Sequence, residues 1–214
     1  MEWFNVFLVI LFLFVLTIIF VFCRLYINAV PPITTKYNNI KNNLQTGDIF
    51  LIAYDSIYGH LVKVFKGCCW THGSLVYKKN NKIYIIEIAR YGDEDVYKGL
   101  LMIPIDKWLE FNEGKVIGYV KYRSSGPTKS IEKLFNKFKG IKVNLNTIYW
   151  MNTLVKWKHY NEKRKKYFCT EFLAKFLQDL GMISKKYLPC SYSPATFPEL
   201  KEYTSDVKIF ININ

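Results

Sequence analysis

The sequence predicts an α+β domain, with an antiparallel sheet packed against helices, preceded by one membrane-spanning helix. Three observations support this prediction. An unbroken apolar run opens the chain, short apolar runs separated by turn residues follow, and segments with helical apolar spacing fill the second half. We divide the chain into a membrane anchor, a polar tether with a Pro pair, and a folded domain, at residues 1–25, 26–43 and 44–214.

The apolar run from Phe4 to Phe22 contains only two polar side chains, Asn5 and Thr17. A helix needs about 20 residues, each rising about 1.5 Å, to cross the hydrocarbon of a bilayer. A cleaved signal peptide and a buried core helix are the alternatives. The acidic Glu2 before the run disfavours a signal peptide, and a helix that is apolar on every side is uncommon in a core.

Charge and cysteine usage indicate where the domain lies. Basic residues follow the span and favour a cytosolic domain, and the five cysteines lack the pattern of a secreted disulfide framework. The net charge is +13, and its basic residues are spread along the domain, with one dense run at Lys156–Tyr167. We interpret this run as a solvated face or a patch for anionic lipid. No recognition helix, zinc finger or aromatic RNA platform is present in the sequence, so we expect a bilayer partner and no nucleic acid.

The strands are predicted from short apolar runs. "GDIFLIAY" follows a Gly-Asp turn, and the strands Ser74–Lys78 and Ile83–Ile88 flank a turn at Asn80-Asn81, residues that accept positive φ. "GLLMIPID" and "KVIGYVKY" are two further strands, separated by a short helix at "DKWLEF". "SIYGHLVKVFKG" is predicted as a short helix, although its internal glycine weakens that prediction.

Two longer helices are predicted in the second half. "GPTKSIEKLFNKFKG" carries one apolar stripe, formed by Ile131, Leu134, Phe135 and Phe138. "YFCTEFLAKFLQDLGMI" repeats apolar residues at helical spacing and ends at a glycine. Cys169 therefore opens the last helix, where unpaired N–H groups and the helix dipole favour thiolate over thiol. A cysteine at this position is also compatible with a small buried apolar residue.

A base for this thiol follows from the hairpin register. With Asn80 and Asn81 at the turn, His72 faces Ala89 and shares a sheet face with its diagonal neighbour Glu87. A carboxylate there can fix the tautomer of the imidazole and leave its other nitrogen for a thiol. A turn of odd length would separate the two side chains.

Five segments in this order resemble the circularly permuted papain-like cysteine hydrolases, the YiiX-like branch of the NlpC superfamily: "TGDIFLI", "THGSLVY", "IIEIA", "YFCTEFLAKFLQDLGMI" and "YSPATF". The resemblance covers about residues 44–200, and the family includes viral members. It implies a permuted papain-like fold with Cys169 as nucleophile, His72 as general base and Glu87 as orienter. It also implies a viral protein, placed by its anchor in a host or virion membrane.

These features predict a membrane-anchored thiol hydrolase or acyltransferase that cleaves an amide or ester through an acyl-enzyme, without a cofactor or metal. A peptide, a lipidated chain or a lipid would be the substrate. The rival is a non-catalytic, membrane-tethered binding module with the same cleft. A Cys68-Cys69-x-x-His72 zinc site lacks a second ligand pair, so we expect Cys68 and Cys69 to pack.

Other polar side chains have weaker claims to a role. We expect His60 to be structural and His159 to be solvated. Tyr54 and Tyr58 are candidate donors to an oxyanion.

Overall fold

The computed structural model of the chain describes residues 2–27, 31–55, 59–60, 63–64, 67–92, 97–124, 126–127, 129–144 and 165–211. Most of the basic segment, including His159, and also Tyr58 lie outside these residues. The helices and strands are, in chain order, α1 (Glu2–Ile27), α2 (Tyr37–Lys41), β1 (Ile49–Ala53), β2 (His72–Lys79), β3 (Lys82–Arg90), β4 (Lys98–Pro104), α3 (Ile105–Phe111), β5 (Val116–Val120), α4 (Ile131–Phe138), β6 (Lys142–Val143), β7 (Lys166–Tyr167), α5 (Cys169–Asp179) and β8 (Lys208–Ile211). Two 3-10 helices, Pro189–Ser191 and Pro194–Glu199, precede β8.

Six strands form one antiparallel sheet in the order β4-β3-β2-β1-β5-β8. The short strands β6 and β7 pair in parallel elsewhere. This arrangement confirms the α+β class and the antiparallel sheet. The permuted order of papain-like elements stays a prediction.

Helices cover both faces of the sheet. One face packs against α4 and α5, with Leu51, Leu75 and Phe172 in that core. The other face packs against α2 and α3, with Phe50 and Trp108 at its centre and their rings stacked at 5.2 Å. Alternation along each strand therefore supplies apolar side chains to both layers, which explains why β1 is buried at all five positions.

The predicted strands and longer helices are present. Asn80 and Asn81 have φ of 48° and 59°, and Lys79 pairs with Lys82, as the hairpin prediction requires. Of the segment Ser56–Gly67, residues 59–60 and 63–64 are helical and the remainder is mostly outside the described residues. The edge strand β8 was not predicted from the sequence.

The Gly-Asp turn before β1 has a structural role. Asp48 is fully buried, and its carboxylate accepts hydrogen bonds from the backbone N–H groups of Gln45 and Tyr122 and from the hydroxyl of Tyr119, each at 2.9 Å. Gly47 has φ of 106°, and a Cβ there would lie 2.5 Å from Met182. The turn therefore fixes the start of β1 against β5.

The N-terminal part contains one helix long and apolar enough to cross a membrane, over Val6–Cys23, with none of that window buried. A signal sequence near the N-terminus also meets this criterion of length and composition. Within the predicted tether, α2 buries Ile40, and the N–H groups of Thr34 and Thr35 both donate to Ile209 of β8. Part of this segment thus packs on the domain, and the division into anchor, tether and domain stays a prediction.

Candidate active site

The hairpin brings His72 and Glu87 into contact. His72 Nε2 lies 2.7 Å from Glu87 Oε2, and both side chains are buried, at 7% and 2% exposure. Leu75 pairs with Ile86 in the register that the sequence predicted. Because Nε2 is held by the carboxylate, Nδ1 is the imidazole nitrogen left for another partner.

Helix α5 supplies that partner. Cys169 is its first residue and is half-buried, and its thiol is close enough to His72 for each group to shift the pKa of the other. The sulfur also lies 3.9 Å from the carbonyl oxygen of Thr71. A Cβ on Gly73 would come 3.1 Å from Leu173 Cδ2, so the glycine lets α5 lie close against the first residues of β2.

The thiol and the imidazole alter each other's pKa. Burial raises the pKa of the Cys169 thiol, but the charge and hydrogen bond of His72 and the N–H groups of Thr170 and Gly73 outweigh burial, so this pKa lies below its ordinary value. Burial also lowers the pKa of His72, but the charge and hydrogen bond of Cys169, together with Glu87, raise it to about 10. Both shifts favour the thiolate and the imidazolium over the neutral thiol and imidazole.

Two polar residues that the sequence analysis did not find, Tyr91 and Asn112, connect this pair to Tyr54. The Tyr91 hydroxyl donates to Glu87 Oε1 at 2.7 Å, and Asn112 Nδ2 donates to the Tyr91 hydroxyl at 3.2 Å. The Tyr54 hydroxyl donates to Asn112 Oδ1 at 2.9 Å, so its single proton is directed at an amide rather than at Cys169. Only the four-residue spacing between Glu87 in β3 and Tyr91, directly after β3, could have suggested part of this network.

The other candidates lie apart from this arrangement. Cys68 and Cys69 are buried, with the Cys68 sulfur 3.2 Å from the carbonyl oxygen of Trp70, and burial raises the pKa of Cys69 to about 11. His60 is exposed and lies 3.5 Å from Asp55. Among the described residues, no group of three His, Cys, Asp or Glu side chains is placed to hold a metal ion.

Comparison with known proteins finds distant similarity to solved structures. No family model matches the chain, and no curated protein matches its sequence. Among solved structures that match is YiiX from Escherichia coli O157:H7, described as a metalloprotein, with 16% sequence identity and a TM-score of 0.40. The alignment covers 74% of this chain and 87% of YiiX. A similarity this distant does not assign the chain to a family.

Proposed function

We propose that the protein is a membrane-anchored thiol hydrolase or acyltransferase, with Cys169 as nucleophile, His72 as general base and Glu87 as the group that orients the imidazole. The observation that carries the proposal is the 2.7 Å contact between His72 and the buried Glu87 carboxylate, with the half-buried Cys169 sulfur 3.9 Å from the carbonyl oxygen of Thr71, the residue before His72. Each member has the chemistry that its role needs, since a thiolate attacks carbonyl carbon and a carboxylate fixes the tautomer of imidazole.

The reaction proceeds in two stages. The Cys169 thiolate attacks the carbonyl carbon of an amide or ester, and the bond from that carbon to the leaving nitrogen or oxygen breaks while His72 protonates the leaving group. The thioester is then attacked by water, or by another nucleophile, whose proton returns to His72 as the bond to sulfur breaks. The choice of acceptor separates hydrolysis from acyl transfer.

The N-terminal end of α5 suits the charge that develops during attack. The first N–H groups of a helix have no partner within the helix, and the helix dipole adds a partial positive charge there. An oxyanion on the substrate carbonyl, formed next to the Cys169 sulfur, would lie at this helix end. Donors already oriented toward such a charge are among the strongest contributions to acyl-transfer catalysis.

The substrate we propose is a lipid, a lipidated chain or a membrane-proximal peptide. The support is the exposed apolar helix α1, which is long enough to hold the domain at a bilayer. Cytosolic orientation of the domain is part of the proposal and follows from the basic residues after α1.

Steady-state turnover by the full-length chain in lipid vesicles tests the proposal. The substrates are a soluble p-nitrophenyl ester, a membrane-partitioned long-chain ester and a peptide amide. Cys169→Ala should abolish turnover, whereas Cys190→Ala, which changes the other half-buried cysteine of the domain, should retain it. Turnover that survives Cys169→Ala would show that Cys169 is not the nucleophile. If the wild-type protein turns over none of the three substrates, the result favours the non-catalytic binding module.

A further inference from the structure

Behind the His72–Glu87 pair lies a continuous run of polar contacts that the proposed reaction does not use. Glu87 gives one carboxylate oxygen to His72 and the other to the hydroxyl of Tyr91. The amide of Asn112 then joins Tyr91 to Tyr54, whose ring centroid lies 5.8 Å from that of His72. The run therefore begins at the carboxylate and returns to the imidazole.

Asn112 is the centre of this run, and its amide has one orientation. The side chain is fully buried, and Nδ2 donates to the carbonyl oxygen of Trp108 at 2.9 Å. Because a carbonyl can only accept, the amide nitrogen must lie on the side of Trp108 and Tyr91, which leaves the oxygen to accept from Tyr54. The residue also closes the end of α3, since its backbone N–H reaches Trp108 and Leu109.

The hydrogen bonds from Tyr54 to Glu87 all donate in the same direction, toward Glu87. The Tyr54 hydroxyl donates to Asn112, Asn112 donates to Tyr91, and Tyr91 donates to Glu87, which is the final acceptor. A carboxylate that accepts on one oxygen from a tyrosine and on the other from an imidazole cannot rotate without breaking one of two charge-assisted bonds. Buried networks in which each member has a partner are rigid.

We propose that Tyr91 and Asn112 are positioning residues for the candidate site. Tyr91 holds the Glu87 carboxylate on His72 Nε2, and Asn112 fixes both Tyr91 and the Tyr54 ring beside the imidazole. The imidazole is thereby held by Glu87 on one side and by the Tyr54 ring on another. This inference rests on the proposed function, because it assigns these residues a role in orienting the base of that reaction.

Tyr91→Phe is the direct test, because it removes one hydroxyl and keeps the ring. That ring is stacked on Phe111, with centroids 4.5 Å apart and planes 12° apart, and phenylalanine can keep this packing. Tyr119→Phe is the matched control. It removes another tyrosine-to-carboxylate hydrogen bond of the same sheet, the 2.9 Å contact with Asp48, outside the site.

The readout is the pH dependence of Cys169 alkylation by limiting iodoacetamide, followed by peptide mapping of the full-length chain in detergent. Tyr91→Phe should move the midpoint upward by about one pH unit, which is about a tenfold slower reaction at mildly acidic pH. Tyr119→Phe should leave the midpoint at the wild-type value. Asn112→Leu should move it in the same direction as Tyr91→Phe, and Tyr91→Phe decides the question if the Asn112 variant does not fold.

Two results separate this inference from the proposed function. If wild-type Cys169 reacts rapidly at acidic pH and Tyr91→Phe has the same midpoint or a lower one, the positioning role is wrong and the proposed function stands. A lower midpoint would mean that the hydroxyl only weakens the attraction between Glu87 and the imidazolium. If wild-type Cys169 reacts no faster than Cys190, the proposed function fails, and the inference fails with it.

Discussion

Replacing His72 with alanine should raise the pKa of the Cys169 thiol. In the wild-type chain burial works against the thiolate, while the charge and hydrogen bond of His72 and two backbone N–H groups favour it. Without the imidazole, burial is opposed only by the N–H groups of Thr170 and Gly73. We therefore expect the pKa to return to the ordinary cysteine value of about 8.5 or to rise above it.

The size of the effect follows from the charge removed. An opposite charge in contact with an ionisable group shifts its pKa by about 1 to 3 units, and each unit changes the thiolate population about tenfold below the pKa. His72→Ala should therefore slow alkylation of Cys169 at about pH 6 by between about tenfold and about a thousandfold. The ratio should shrink as the pH approaches the raised pKa, because both proteins are then mostly thiolate.

The assay is pulse alkylation with iodoacetamide at a series of pH values, with Cys169 quantified by peptide mapping and the buried Cys69 as an internal comparison. Ser74→Ala, two residues further along the same face of β2, is the matched control and should leave the rate unchanged. Alkylation of His72→Ala within about twofold of wild type at about pH 6 would refute the coupling of thiol and imidazole.

Glu87→Gln should slow alkylation less than His72→Ala, since it keeps a hydrogen-bond acceptor but loses the charge that favours imidazolium; an effect as large as that of His72→Ala would contradict this order. Ile40→Ala should lower the free energy of unfolding in urea by about 2 to 4 kcal/mol, because Ile40 is 2% exposed; an unchanged midpoint would mean that α2 does not pack on the domain. The full-length chain should resist alkaline carbonate extraction, and extraction with peripheral proteins would contradict the anchor.

Local patterns were enough to predict the elements that carry the candidate site. The Asn80-Asn81 turn sets the register of β2 and β3, and that register puts His72 beside Glu87. Helical spacing after Cys169 likewise predicts α5 and the position of the thiol at its first turn. The hairpin register and helix α5 both depend on residues close together in sequence, so local sequence patterns were sufficient to predict them.

The features that were missed depend on contacts between distant parts of the chain. β8 is a short strand next to the C-terminus, and it is defined by pairing with β5 and by the bonds from Thr34 and Thr35. Asn112 looks like an ordinary turn residue after α3, and only the folded chain brings it to Tyr91 and Tyr54. The run "KIFI" has strand-forming residues but does not indicate its pairing with β5, and sequence spacing carries no signal for the contacts of Asn112.

The central claim is that Cys169 accepts an acyl group, and trapping that group tests it most directly. Full-length protein mixed with an activated ester, quenched in acid within the first turnover and digested, should carry one acyl group on the peptide that contains Cys169. His72→Ala should accumulate it far more slowly, and Cys169→Ala should show none there. Two results would contradict the role of Cys169 as nucleophile. In one, wild-type protein turns the ester over but carries no acyl group on Cys169. In the other, the acyl group is distributed equally between Cys169 and Cys190.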